Sequence, residues 1–538
     1  MFVKQGIRVT TAIIVSLCLF GQAVHCSAAT SKLPFTDLSN SFAKEAIIDL
    51  YSKKMMNGTS ASTFSPTRPM TRAEFTKSLD TLLGLDSVTS SISPFTDVPK
   101  TAWYYGWIQT AVQLGIANGT SASTFSPTTS VTRQEAAQLL VRALRQTTAG
   151  NADAEAFKDA SSIAGWAKPA VASAKRLGLL VGDSAGNSRP HDSITRAEAA
   201  VMLNRVLQNA KWSAELEHET KDSIRLGWQY GQTTAEFEQT VLQSNVNTLS
   251  PRWYFIGPSG TITDYTDQSL VVWANHNNKK IWAMVGNRSD QELTHMILSD
   301  STARAKVVNS LAAAVRSSGL AGLNIDFENV APVDRTNFTT FITELKKELS
   351  AMNADLSVNV SPDLGTDWTE AFDYAALGRQ SDYIVMMGYD EYWIGKGTAG
   401  PNASLSYVSN AIEKLRQLVP DEKIVLAMPT YLIDWTLNSS GSVASTSYMT
   451  MKEQNERIAA SSLHPVWKED IGQYTVQFKA NMATHSLWVE DGRSLTAKYR
   501  LIAGANLAGW AVWYMGAESS DVWTSLRNAE KYYGYVFG

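Results

Sequence analysis

Cysteine is nearly missing: the 538 residues hold two, Cys18 and Cys26, both within the opening segment "TTAIIVSLCLFGQAVHCSAAT". From Thr30 onward, neither a disulfide framework nor a thiolate metal site can hold the chain together. An excess of one charge is missing too. Lys and Arg number 47 against 51 Asp and Glu, a net charge of -4 without long single-sign runs. That balance excludes nucleic acid or a bulk membrane surface as the main partner. Long apolar runs are also absent, because "TTAIIVSLCLFG" falls short of the ~20 residues that a membrane span needs.

That short run has another use. Lys4 and Arg8 precede it, and small residues follow it in "CSAAT". This order predicts an export signal over residues 1–29, cleaved near Ala28 or Ala29. A membrane anchor is the alternative for this run, and its length argues against one. His25 before Cys26 argues against lipid attachment, which needs a small residue there. The expectation is a secreted chain without a transmembrane anchor. Its length exceeds one ordinary core, so two or more domains are expected.

Internal repetition comes next. "NGTSASTFSPT" occurs unchanged at Asn57–Thr67 and Asn118–Thr128. "PFTD" precedes each copy, and "TRAE" or "TRQE" follows. A weaker third copy runs from "AFKD" through "GLLVGDSAGNSRP" to "ITRAE". A period near ~60 residues means one small unit used three times. Each unit reads as helix, loop, helix. Trp107, Ile108, Ala111 and Val112 space at helical intervals, and the Gly-Ser-Thr-Pro loop breaks the pattern. The second helix opens on a Thr-x-x-Glu capping box: Thr71–Glu74, Thr132–Glu135, Thr195–Glu198. Arg72, Arg133 and Arg196 take its first position. Helix N-termini suit anions, so these arginines read either as an anion site or as solvated side chains beside ordinary caps.

The order "FTD…W…GIANGT…TFSP…TRQE" resembles surface-layer homology (SLH) domains over about Phe35 to Leu207. The resemblance places repeats at 34–87, 94–147 and 156–208. It implies a three-pronged helical bundle whose grooves bind a pyruvylated secondary cell wall polymer of a bacterial envelope. The motif arginine carries over to Arg72, Arg133 and Arg196, and the aromatic at the start of the first helix to Trp103 and Trp166. The first copy has Phe42 there, and the third lacks the standard "NGT…TFSP" loop. Charged and small polar residues from 209 to 223 are expected to form a linker.

From residue 224 to 538 short apolar runs alternate with amphipathic segments. "IRLGW", "TLSPRWYF", "KIWAMVG", "GLNIDFE", "LSVNVS", "YIVMMGY", "IVLAMP" and "LAGWAVW" are candidate strands. Eight of them over ~315 residues fit an α/β TIM (β/α)8 barrel. The long stretch Leu432–Ala505 predicts a small insertion between strands 7 and 8. In "GLNIDFEN", Asn324, Asp326 and Glu328 alternate with Leu323, Ile325 and Phe327, so the polar three share one face. Barrel interiors are usually apolar, and chemistry sits at the C-terminal strand ends. The row is therefore either used in catalysis or part of a hydrogen-bonded structural network.

"GLNIDFEN" also resembles the fourth-strand signature of family 18 glycoside hydrolases, Asp-Gly-x-Asp-x-Asp-x-Glu. Gly322, Asp326 and Glu328 match; Ala321 and Asn324 replace the first two acids. "MGYDE", "AMPTYLIDW" and "GWAVW" are similar to the family's sixth, seventh and eighth strands, and "WVEDGRSL" to its spore-cortex-lytic, peptidoglycan-active branch. The resemblance implies substrate-assisted catalysis, in which the substrate's N-acetyl group is the nucleophile. Glu328 would be the general acid and base, Asp326 would hold the acetamido group, and Tyr389 would bond its oxygen. Trp513 would floor the sugar, with Asn324, Asp390 and Tyr431 close by. Trp228, Trp393 and Trp435 read either as sugar platforms or as core packing. Asn324 cannot share a proton with Asp326 as an acid would. No metal or cofactor is implied. The reading is a monomeric glycosidase, bound to the bacterial cell wall or S-layer, that cleaves β-1,4-linked N-acetylglucosamine glycans, peptidoglycan or chitin. The rival is a non-catalytic glycan-binding or S-layer structural protein on the same fold, and retention of Glu328 counts against it.

Overall fold

A computed structural model describes residues 35–147, 155, 157–218, 222–363, 365–480 and 482–538. The expected export signal lies outside these residues.

Each repeat of the N-terminal unit gives two helices, α1 (Lys44–Ser52) and α2 (Arg72–Leu82), α3 (Tyr105–Gln113) and α4 (Arg133–Ala143), α5 (Lys168–Arg176) and α6 (Arg196–Gln208); packing runs between repeats, α2 on α3, α4 on α5 and α6 on α1. Local chemistry sets the helix starts. Thr71, Thr132 and Thr195 each accept the N3 backbone N–H while the N3 glutamate reaches back, completing all three capping boxes. Such caps are worth about 1 kcal/mol each. The aspartates of "FTD" and "FKD" close the loops. Asp37 accepts N–H bonds from Phe64 and Ser65, Asp97 from Phe125 and Ser126, and Asp159 from Ser188 and Arg189. Bridges Pro69↔Thr195, Thr71↔Ser130 and Thr132↔Ser193 tie the repeats around a common axis.

The stretch expected to be a linker carries a helix, α7 (Ala210–Leu216). Asn209 caps it, and Trp212 is buried, donating its indole N–H to the Phe537 carbonyl at 2.8 Å. Only Trp212 and Leu216 among "AKWSAEL" are bulky and apolar, too few for a periodicity to read, yet both pack on the bundle core.

The C-terminal unit is a closed parallel ring of eight strands: β1 (Ile224–Gln229), β2 (Thr248–Pro251), β3 (Lys280–Gly286), β4 (Gly322–Asp326), β5 (Asp355–Val360), β6 (Tyr383–Met387), β7 (Ile424–Pro429) and β8 (Gly509–Trp513). Pairing of β8 with β1, and of β2 with β3, closes it. "TLSPRWYF" splits after Pro251, which has no N–H to give a ladder. Its second half, Tyr254–Gly257, forms a hairpin with Thr261–Asp264 at the end of β3. The expected insertion between β7 and β8 is a five-stranded antiparallel sheet with helix Met451–Ala460.

The two units share a core. Ala529, Tyr532, Tyr535 and Phe537 pack into the helical bundle, and Ile92 packs into the insertion. Tyr535 donates its hydroxyl to the Leu83 carbonyl at 2.7 Å, Tyr532 donates to Arg142 at 2.9 Å, and Asn528 exchanges two bonds with Asp86.

Candidate active site

The polar row of β4 is completed by groups from other strands. Asn324 is fully buried. Its Oδ1 accepts the Trp228 indole N–H at 2.9 Å, and its Nδ2 donates to Ser357 Oγ at 2.9 Å and Asn359 Oδ1 at 2.7 Å. Asn359 then donates its own Nδ2 to Asp326 Oδ1 at 2.8 Å. A chain of directed hydrogen bonds thus runs from β1 through β4 and β5 to Asp326. An amide at position 324 supplies two N–H donors that need no proton from solvent. Burial, reinforced by the charge of Glu328, pushes the Asp326 carboxyl up to about 7; the Asn359 bond and nearby Arg252 pull the other way.

β4 ends at Asp326, earlier than the sequence pattern predicts. Phe327 turns into the helix layer, 5.8 Å from Phe338 and 5.4 Å from Phe341 between ring centres. Glu328 follows at the mouth and is fastened from β3. Asn287 accepts the Glu328 N–H at 3.0 Å and donates to its carbonyl at 2.7 Å. Ser289 donates its hydroxyl to Glu328 Oε2 at 2.8 Å. Arg288 and Ser289 both have positive φ, 54° and 55°, a turn that aims the serine back at the acid.

Tyr389 and Asp390 follow the end of β6. Burial first, then the charges of Asp326, Asp390 and Glu328, drive the Tyr389 phenol far above its usual pKa. Asp390 accepts the Tyr431 hydroxyl at 2.6 Å, and its own N–H donates to Asn402 Oδ1 at 3.0 Å. Burial also raises the Asp390 carboxyl. Half-buried Trp513 ends β8, edge-on to Trp228 at 5.8 Å and tilted against Tyr230 at 5.4 Å. Asn324, Asp326, Glu328, Tyr389, Asp390, Tyr431 and Trp513 therefore meet at one end of the barrel.

Two tryptophans read as possible platforms have no free face. Trp228 and Trp435 are each 1% exposed. Trp228 is spent on Asn324, and Trp435 donates to the Gly400 carbonyl at 2.9 Å. The pleat turned them inward, so no sugar ring can stack on either. Trp393 is 47% exposed beyond β6, with Lys396 Nζ 4.9 Å above its ring. Asn287, Ser289, Asn359 and Arg252 went unread in the sequence. The asparagines do stand at or just beyond strand ends within "KIWAMVGN" and "LSVNVS", where polar residues in a barrel interior are a signal. Among the described residues, no cluster of three or more His, Cys, Asp or Glu side chains could hold a metal ion.

In the bundle, the three arginines are buried between repeats. Arg72 donates to the carbonyls of Phe125 and Asn118, Arg133 to Ser188 and Val181, and Arg196 to Phe64 and Asn57. Arg72 also meets Glu135 at 3.4 Å, and Arg133 meets Glu198 at 2.9 Å. Each arginine thus clasps the loop of a neighbouring repeat. The aromatics before the first helices stand out: Phe42, Trp103 and Trp166 are 75%, 57% and 54% exposed. Lys77 Nζ lies 5.7 Å from the Trp103 ring, and both border a groove of about 220 Å³ with Glu74 and Arg196.

Comparison with known proteins agrees with both units. The model of glycosyl hydrolases family 18 matches residues 250–518, and the S-layer homology domain matches 34–76, 94–137 and 156–200. An uncharacterized glycosylase of Bacillus subtilis (strain 168) is 25% identical over 322 residues, 57% of this chain and 92% of that protein. A cortical fragment-lytic enzyme of the same organism is 26% identical over 308 residues, 53% of this chain and 70% of that one. A chitinase from Chromobacterium violaceum shares the barrel fold, with TM-score 0.53 and 23% identity over 57% of this chain and 99% of its own. The spore cortex-lytic enzyme SleL of Bacillus megaterium gives TM-score 0.53 and 21% identity over 58% and 74%. No helix of the described residues is long and apolar enough to cross a membrane. With half of the chain matched and three anchoring repeats before the barrel, the chain belongs to the family 18 glycosyl hydrolases and is a glycosidase attached to the cell surface through S-layer homology domains.

Proposed function

We propose that the protein is exported, binds a pyruvylated cell wall polymer, and hydrolyses β-1,4-linked N-acetylglucosamine glycans with retention of configuration. The observation that carries this is the pair Asp326–Glu328: one half-buried carboxyl bonded to Asn359, the other at the mouth and bonded to Ser289. Glu328 protonates the glycosidic oxygen as the bond to C1 breaks. The acetamido oxygen of the same sugar attacks C1, and Asp326 accepts the acetamido N–H. Tyr389 donates its hydroxyl to the acetamido oxygen, and Trp513 forms the floor beneath the sugar. Glu328, now ionised, takes a proton from water, which opens the oxazolinium ring at C1. Two inversions at one carbon leave a β product. Asp326, held near neutrality, can carry or release a proton as charge develops on the ring.

Anchoring follows from the bundle. Lys77, Trp103 and Arg196 give one groove a cation and a stacking face, the elements that an anionic polysaccharide needs. Domain limits follow the repeats and the barrel, and one copy of the chain suffices for both tasks. Incubation of the protein with purified peptidoglycan and with chitin oligomers, followed by mass analysis, tests the activity. Fragments ending in reducing N-acetylglucosamine are expected from at least one substrate; intact substrates in both would refute the reading.

A further inference from the structure

The barrel mouth is electrically lopsided. Beyond the acids on the β6–β7 side stand Tyr389, Asp390, Tyr431 and Tyr448. On the β1–β3 side stand two arginines around one ring. Arg252 comes directly after β2 and Arg288 two residues after β3. Their guanidinium carbons lie 5.6 Å and 3.9 Å from the centre of Phe255, and Arg252 is also 5.1 Å from Tyr230. Cation–π contact fixes the position of a guanidinium without neutralising it.

Several other arginines of the barrel have carboxylate partners. Arg304 meets Glu344 at 3.0 Å, Arg416 meets Asp421 at 2.8 Å, and Arg335 meets Asp373 at 3.7 Å. Among the described residues, Arg252 and Arg288 form no ion pair. Arg252 Nε is buried and has no hydrogen-bond partner. A desolvated donor left unpaired costs free energy that an incoming anion recovers. Tyr230, 5.1 Å from the Arg252 guanidinium, lies 5.4 Å from the Trp513 ring, and the charge of Arg252 also pulls the Asp326 titration down, so the unpaired charge borders the site. Loop packing alone would need a long cationic side chain at neither position, since apolar ones cover an aromatic ring equally well.

We propose that Arg252 and Arg288 form a carboxylate-binding subsite, so that the preferred substrate is an N-acetylglucosamine polymer bearing carboxylates, on lactyl ethers or the peptides attached to them, over a neutral one. This rests on the hydrolytic reading above and narrows it. A guanidinium fork grips a carboxylate through two parallel N–H bonds. Its stacked pose at the strand ends leaves that fork already oriented. The same pair repels a cationic, deacetylated glycan.

The test uses the full-length protein and its Arg252→Met, Arg252→Lys and Arg288→Met variants. The quantity read is the ratio of kcat/KM on soluble peptidoglycan strands to that on neutral N-acetylglucosamine oligomers. The ratio is expected to exceed one for the unaltered protein and to fall roughly 10–100-fold on loss of Arg252. Arg252→Lys should sit between, keeping the charge without the fork. Conversion of strand carboxylates to amides should bring the unaltered protein down to the variants' ratio. A ratio that no variant moves, or amidated strands cleaved as well as native ones, overturns the subsite. Arg288 is exposed, so its variant folds and keeps the test open should the Arg252 variants not. If neither substrate is cleaved, the hydrolytic reading has failed instead. Binding of native and amidated strands to Glu328→Gln protein then still decides the subsite, and equal affinity for both overturns it.

Discussion

Consider the substitution Asn324→Asp, which puts an acid where the family signature has one. Asn324 has no access to water and makes three bonds shorter than 3.0 Å: it accepts from Trp228 and donates to Ser357 and Asn359. An ionised carboxylate can only accept. It would keep the Trp228 bond, lose both donations, and set one oxygen against Asn359 Oδ1. Each buried group left unsatisfied costs about 1–3 kcal/mol. A protonated carboxyl restores one donation, so the folded state would hold that proton tightly. The introduced group's folded pKa then lies above its unfolded value of about 3.9. A raised carboxyl pKa means that the folded form binds more protons than the unfolded one, so stability falls as pH rises between the two values. The variant should therefore approach the parent's melting temperature near pH 4 and drop below it by several degrees at pH 8, since about 1 kcal/mol shifts Tm by about 2–4 °C in domains of this size. The added negative charge should also push the Asp326 titration, already near 7, higher still. Thermal melts of both proteins from pH 4 to pH 8 read this directly. Parallel curves, with no widening gap toward alkaline pH, would refute the role given to the amide.

Ser289→Ala removes the hydroxyl on Glu328 Oε2; kcat should fall about 3–10-fold with KM little changed, and Ser289→Thr should restore most of it, as steady-state kinetics can check. Trp103→Ala together with Lys77→Ala should release the protein from purified walls without lowering Tm, whereas Arg133→Ala should lower Tm because it opens the clasp on Ser188 and Glu198; sedimentation and calorimetry separate the two effects. Truncation after Gly534 removes Tyr535 and Phe537 from the shared core and should lower the melting temperature of bundle and barrel together. Two separate transitions, with the bundle's unchanged, would contradict that coupling.

Periodicity and turn chemistry carried much of this architecture, because strands and capped helices are decided within a few residues. Thr71, Thr132 and Thr195 cap helices through neighbours three residues on, and those contacts are legible in sequence. The row Asn324–Asp326–Glu328 was legible for the same reason, although the strand stops at Asp326 so that Phe327 can join Phe338 and Phe341. Partners brought in by ring closure were not legible. Asn287, Ser289 and Asn359 reach the acids only because β3, β4 and β5 lie side by side. Trp228 and Trp435 were ambiguous because an aromatic residue near a strand end faces either the mouth or the core, and only the assembled pleat decides. The arginines of the repeats looked outward from single helices, and closure of the three repeats laid carbonyls of the next loop over each of them.

The central claim is that the substrate's acetamido group attacks C1 while Asp326 holds it and Glu328 shuttles the proton. The most direct measurement is proton NMR of the first-formed reducing end during cleavage of an N-acetylglucosamine oligomer, recorded before mutarotation mixes the anomers. The β anomer is expected to appear first; initial release of the α anomer would contradict the claim.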